Sequence, residues 1–373
     1  MKQYIPLGSV ISKASVERCG DRQLPILSIT MKNGLVLQDE KFKKRIASAD
    51  TAEYKVIPRG KLVQGIHIDE ANFGIQDIVD EGIVSPAYKV WEVNSSIIFP
   101  KYLEMIMRSP RSLSFYRSKL NGSVTRRGRM TDDDFLAMLI PFVDYEQQKK
   151  IVSIIRQVLN IITLYNRQIL ALDTLIKARF VEMFEGKYHT IKLGDVIKTT
   201  SGGTPSKTHP EYYEGGSIPW LTSGEINAGV VTSVKNYITE DGMRNSSAKM
   251  VPENSVVIAM YGATAGVTGI LKLNTTTNQA VCSLLPNEHF VPEYLYYAVA
   301  AKKEWMISQS QGGGQPNISQ GVIKSMKLID APINTQKQFA IFVSRIDKSK
   351  SVVQQALAKN KLLLDSLMQK YFG

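Results

Sequence analysis

Residues 125–130 read TRRGRM, so Arg126, Arg127 and Arg129 fan out around a glycine that lets the backbone come close to a partner. Guanidinium groups on such a loop can grip phosphates and pair bidentately with guanine edges. The loop closes a stretch, residues 101–129, that holds eight basic side chains, Lys119 among them, against one acid, Glu104. A second loop, residues 312–319 (GGGQPNIS), carries Gln315 and Asn317, whose amides suit an adenine edge. A third, residues 201–207 (SGGTPSK), offers a phosphate the hydroxyls of Thr204 and Ser206, the Lys207 ammonium and flexible backbone amides. Plainer readings stay open at this level: a solvated basic face for the first loop, a simple turn for the other two.

Catalytic spacing is missing. His67, His189, His209 and His289 stand alone in the sequence, with no HExxH and no His-Cys pair, so no metal site is expected. There is no GxSxG elbow, no Walker loop and no Asn/Asp-Pro-Pro-aromatic loop of an amino-methyltransferase. YGATAG at residues 261–266 lacks the lysine and the βαβ setting of a phosphate cradle. Asp39 with the triplet Glu53-Tyr54-Lys55 is the one arrangement a metal-dependent nuclease could use, and such triplets arise by chance; Glu185-Gly186-Lys187 is another. The expectation is a chain with no catalytic residue, no metal and no cofactor of its own.

The elements that must position the loops repeat. Residues 4–11 (YIPLGSVI) resemble residues 190–197 (TIKLGDVI), Pro100-Lys101-Tyr102-Leu103 answers Pro292-Glu293-Tyr294-Leu295, and Pro141 answers Pro332. Two globular domains are expected, residues 1–141 and 187–332, each followed by a long helix, residues 142–186 and 333–373. The first helix is bounded by Pro141 and Gly186, with neither residue type between them. Its apolar seam, Ile151, Ile155, Val158, Ile162, Tyr165, Ile169, Leu172 and Ile176, alternates steps of four and three as coiled coils do. The second helix repeats it as Phe339, Val343, Ile346, Val353, Leu357 and Leu364, interrupted by Lys350 and Asn360. A helix of some forty residues is roughly 60 Å long, too long and too one-sidedly apolar to stand alone in water. The two are expected to pack together, antiparallel; the alternative is that each lies on its own domain. The domains themselves read as mixed α/β, with apolar runs at residues 256–260 (VVIAM) and 281–285 (VCSLL) suited to buried strands. The expected fold class is therefore α+β: two pseudo-repeated mixed domains, each followed by a long helix, the helices forming an antiparallel coiled coil.

Charge points the same way as the loops. The 373 residues carry a formal net charge of +12, split as +6 in residues 1–186 and +6 in residues 187–373, which favours a polyanionic partner for both halves. Two distant cysteines, Cys19 and Cys282, give no disulfide framework, and a reducing cytoplasm is expected. The N-terminus lacks an apolar signal region, and no run of 18 apolar residues occurs, so neither export nor membrane insertion is expected.

Two half-chain repeats, each opening on a Leu-Gly strand and closing on a heptad helix, resemble the DNA-specificity subunit of type I restriction-modification enzymes. The second half carries the motifs: KLGDVIKTTSGGTPS at residues 192–206, IPWLTSGEI at residues 218–226, YGATAG, GGGQPNIS and a terminal helix beginning QKQFAIFVSRID. The first half matches in its helix and the TRRGRM loop, while residues 21–95 resemble nothing specific. The resemblance implies that each globular part is a target-recognition domain reading half of a bipartite sequence in double-stranded DNA. It implies that the helices space those domains and hold two methyltransferase (modification) subunits, with restriction (translocase and nuclease) subunits joining afterwards. S-adenosylmethionine, ATP and Mg would then belong to the partner subunits. Two other readings remain: a nuclease or methyltransferase fused to its own recognition domain, and a coiled-coil adaptor for acidic proteins.

Overall fold

Two helices of forty residues, Tyr145–Phe184 and Ile333–Phe372, organise the chain in the computed structural model, which describes residues 3–31, 33–41, 50–120, 130–310 and 316–373. The chain divides into two units, Met1–Asn166 with Gln355–Gly373 and Arg167–Gln354, and each takes part of both helices.

In unit one the start of the first helix and the end of the second meet the same core. Ile151, Val152 and Ile155 pack with Phe372, and Leu364, Leu367 and Met368 lie against them. The core continues through Phe73, Trp91, Tyr116 and Phe135, whose rings stack or tilt at centroid distances of 5.1–6.3 Å. Strand Gln3–Pro6 pairs antiparallel with Leu139–Phe142, so the first strand is closed by the last. Between them lies an antiparallel sheet in the order Ile11–Lys13, Lys89–Val93, Leu62–Gln64, Phe73–Ile75. Two further strand pairs, Leu27–Thr30 with Gly34–Leu37 and Lys55–Pro58 with Glu81–Val84, complete it.

In unit two the opposite ends meet: Ile176, Phe180 and Phe184 of the first helix pack with Phe339 and Val343 of the second. The helices are antiparallel, as expected. Lys350, the polar break in the second seam, pairs with Asp173 of the first helix at 2.6 Å. Of the seam positions, Ile151, Ile155, Val158, Ile176, Phe339, Val343, Val353 and Leu357 are buried. The others, Ile162, Tyr165, Ile169, Leu172, Ile346 and Leu364, are half-buried.

Unit two closes by the same joint as unit one, with Thr190–Lys192 antiparallel to Lys327–Ile329. Inside it are a five-stranded sheet (Thr199–Ser201, Val281–Leu284, Val256–Ala259, Thr268–Leu271, Val230–Val231) and a four-stranded sheet (Asn236–Ile238, Ile218–Leu221, Thr275–Thr277, Met250–Val251). Val256–Ala259 and Val281–Leu284 are buried at every residue, which accounts for their unbroken apolar runs.

The repeat is physical down to single hydrogen bonds. Leu7 N–H donates to the Met138 carbonyl and Leu193 N–H to Met326, both at 2.8 Å. Gly194 follows because a Cβ there would come within 2.9 Å of Lys324 Cβ. Two buried glutamines lock the joint. Gln148 accepts from Phe99 N–H (2.7 Å) and donates to the carbonyls of Ile97 and Val143. Gln336 accepts from Val291 N–H (2.9 Å) and donates to His289 and Ala331. Each amide satisfies loop backbone groups that burial would otherwise leave unpaired.

Candidate nucleic-acid interface

The SGGTPSK loop forms a wall whose backbone is held by hydrogen bonds with neighbouring elements. Gly203 N–H donates to the Thr277 carbonyl at 3.0 Å, and Trp220 Nε1 donates to the Gly203 carbonyl at 3.0 Å. Tyr213 OH donates to the Pro205 carbonyl at 2.5 Å. Gly202 lies so close to the Thr275–Thr277 strand that a Cβ would fall 1.7 Å from the Thr277 carbonyl oxygen. The glycines thus serve close packing, and the Gly203 amide that sequence reasoning offered to phosphate is already bound.

The wall borders a cleft of about 730 Å³, lined by Thr204, Lys207, Tyr213, Trp220, Thr222, Asn236, Asn278 and Gln279. Its lining holds a cation, two aromatic rings in T-shaped contact (5.9 Å), amides and hydroxyls, and no carboxylate. The nearby acid Glu225 is consumed: its Oε2 accepts the Thr222 backbone N–H (3.0 Å) and hydroxyl (2.8 Å), and its Oε1 accepts Lys235 N–H (2.7 Å). Burial pushes this carboxyl up, but the two backbone hydrogen bonds and the Thr222 hydroxyl outweigh it and hold it below the usual range.

Of the residues singled out in sequence, Thr204 and Lys207 line the cleft. Ser206 is exposed, with its hydroxyl 2.7 Å from that of Thr208. Asn317 is exposed too and forms a β-bridge with Tyr261, so residues 316–317 lie beside the start of the YGATAG loop. Arg126, Arg127, Arg129 and Gln315 lie outside the described residues. Asn236, Asn278 and Gln279 escaped sequence reasoning. The signal for the last two is a polar Asn-Gln pair immediately after the strand TTT, and Asn236 had none.

The basic side chains at residues 101–119 of unit one engage other groups of the same unit. Lys101 pairs with Asp77 and Glu104, each at 2.8 Å, and Arg108 donates to the Met31 carbonyl. Arg111 sits 4.5 Å over the Tyr4 ring, Arg117 donates to the Asp69 carbonyl (3.3 Å), and Lys119 pairs with Asp134 (3.1 Å).

Among the described residues, the groupings that the sequence offered for catalysis do not assemble. Glu53 pairs with Arg18, and Lys55 Nζ donates to the Tyr88 carbonyl at 2.5 Å, so the triplet's charges are engaged elsewhere. Two histidines that looked isolated do meet: His189 and His289 hold opposite oxygens of Asp330 at 3.0 and 2.8 Å. Among the described residues, no three His, Cys, Asp or Glu side chains are arranged to hold a metal ion. Burial pushes the Cys282 thiol up to about 12, far from nucleophilic use. Among the described residues no helix is long and apolar enough to cross a membrane.

The cleft is a concave, acid-free surface of hydrogen-bonding groups on an α+β scaffold. Residues 185–359 match one family model, described as the type I restriction modification DNA specificity domain. The chain is 27% identical over 180 residues to the Escherichia coli type I restriction enzyme EcoR124I/EcoR124II specificity subunit, covering 47% of this chain and 45% of that protein. It is 26% identical over 177 residues to the Methanocaldococcus jannaschii MjaIX specificity subunit, covering 46% and 40%. The matches thus span under half the length of these relatives. Among solved structures, one described as the structural basis of complex assembly and conformational transition of the type I R-M system matches with a TM-score of 0.63 and 18% identity, over 100% of this chain and 97% of that one. The S subunit from M. genitalium matches at 0.58 and 13%, over 100% and 96%. These likenesses establish the α+β fold across the chain, and the resemblance to a specificity subunit drawn from the second-half motifs is borne out.

Proposed function

We propose that the chain is the non-catalytic DNA-recognition subunit of a type I restriction-modification complex, reading a bipartite target in double-stranded DNA. The observation that carries this is the acid-free cleft of unit two, where a lysine and neutral hydrogen-bonding groups line one concavity suited to a polyanion with polar base edges. Residues 1–141 and 187–332 serve as target-recognition domains, with helices 142–186 and 333–373 as spacer. Arg126, Arg127, Arg129 and Lys119 contact DNA from the first domain; Thr204, Ser206, Lys207, Gln315 and Asn317 do so from the second. The partners are two methyltransferase subunits and, after them, restriction subunits. S-adenosylmethionine, ATP and Mg belong to those partners, and the complex works in the cytoplasm. The test is selection from a randomised duplex library by the chain together with its methyltransferase partner. Two short enriched sequences separated by an unread gap are expected. A library returned without enrichment overturns recognition, and methyl transfer by the chain alone overturns the non-catalytic assignment.

A further inference from the structure

We propose that the unit-two cleft reads a guanine edge through the amide nitrogens of Asn278 and Gln279, with Thr204 as the positioning residue that fixes the Gln279 amide. The inference rests on the DNA-recognition reading above. A free carboxamide presents an acceptor beside a donor, which is the pattern that pairs with adenine N6 and N7. In this cleft each oxygen already accepts one hydrogen bond that orients its amide. Asn278 Oδ1 accepts the Ala280 backbone N–H at 3.2 Å, and Gln279 Oε1 accepts the Thr204 hydroxyl. With the oxygens turned toward Ala280 and Thr204, the groups left facing a ligand are a pair of NH2 groups on consecutive residues, one half-buried and one exposed. Lys207 adds a third donor to the same lining. The Thr222 hydroxyl donates away, to Glu225, whose own oxygens are filled. The cleft is therefore rich in donors and poor in charged acceptors.

Guanine is the base whose major-groove edge presents two adjacent acceptors, O6 and N7. Adenine would set its N6 amino group against an NH2, donor facing donor. The orientation is held before any ligand arrives, because Thr204 stands on the wall clamped by Thr277, Trp220 and Tyr213. Groups held in place by their surroundings discriminate better than groups that must be ordered on binding.

The test is duplex-library selection by the intact chain with its methyltransferase partner, comparing the parent with Gln279→Ala, Thr204→Val and Thr204→Ser. The parent should select guanine at one position of the half-site read by the second domain. Gln279→Ala should lose that preference by about tenfold or more, leaving the other half-site unchanged. Thr204→Val frees the amide to rotate, so the same position should admit adenine as well; Thr204→Ser keeps the hydroxyl and should restore the parental choice. Melting temperatures confirm folding, and Thr204→Ser keeps the idea testable if Thr204→Val does not fold. Affinity that falls equally for all sequences in Gln279→Ala, with a shallower salt dependence, would assign the residue to phosphate and overturn guanine reading. Unchanged selection and affinity in Gln279→Ala would remove the cleft from the interface. A parent that enriches nothing overturns the recognition reading and this inference together, whereas an enriched motif that ignores Gln279 overturns the inference alone.

Discussion

Gln148 in unit one and Gln336 in unit two close the same joint with the same three kinds of hydrogen bond, yet the sheets beyond the joint differ. Unit one hangs a four-stranded antiparallel sheet and two strand pairs on it, unit two a five-stranded and a four-stranded mixed sheet. The charged groups differ as well. The basic side chains at residues 101–119 of unit one are tied to Asp77, Tyr4, Asp69 and Asp134, while Lys207 of unit two is exposed in a cleft without a carboxylate. The lesson is mechanical: once a strand pair, a glutamine and a helix end carry the load, the remaining residues are free to build unrelated surfaces.

The comparison breaks first at the helix core. Phe339, against Phe180, Phe184 and Tyr297 at 5.5 Å each, occupies the seam position that Ile151 fills in unit one. Phe339→Ala should destabilise by about 3–5 kcal/mol and Ile151→Ala by about 2–5, read from urea unfolding. Equal frames then predict equal joints: Gln148→Ala and Gln336→Ala should each cost about 2–3 kcal/mol, since each strands buried backbone groups. A large cost at one and none at the other would mean that the joint is not shared. Lys207→Ala should lower DNA affinity and reduce the slope of log K against log salt by about one, whereas Lys119→Ala, already paired with Asp134, should change the slope less. Loss of slope from Lys119 alone would reverse the contrast drawn between the units.

The smallest effect is a pH dependence at Glu225 of unit two. Glu225 has a lowered carboxyl pKa in the folded chain, so its contribution is complete above the ordinary glutamate value of about 4.3 and is lost as pH falls through the lowered folded value. The stability gap between the parent and Glu225→Gln, about 1 kcal/mol at neutral pH for a capping box, should shrink toward zero in acid. A gap that persists at pH 2 would deny the carboxylate this role.

What the sequence revealed was what neighbours decide. The heptad seam is a local spacing, and every position named for it is buried or half-buried. The Leu-Gly pairs marked the joint for the same reason. The clamp glutamines were visible only as polar residues three places before Ile151 and Phe339, on the apolar side of the helix. The cleft was not legible because Thr204 and Gln279 meet across 75 residues of chain. Residues 101–119 looked free because most of their partners, Tyr4, Asp69, Asp77 and Asp134, lie outside that run. His189 and His289 read as isolated because Asp330, which joins them, arrives only when the last strand closes the unit.

Unit one is sewn from two separate stretches, and Phe372, fully buried against Tyr102 at 5.3 Å, belongs to the second. On the ribosome, where the chain emerges in order, the unit begun first is therefore finished last. Tyr102, Ile151 and Ile155 must wait through the synthesis of all of unit two before residues 355–373 cover them. During that interval an apolar face stands open to whatever binds nascent chains. The schedule of translation thus sets when the N-terminal half becomes a finished unit.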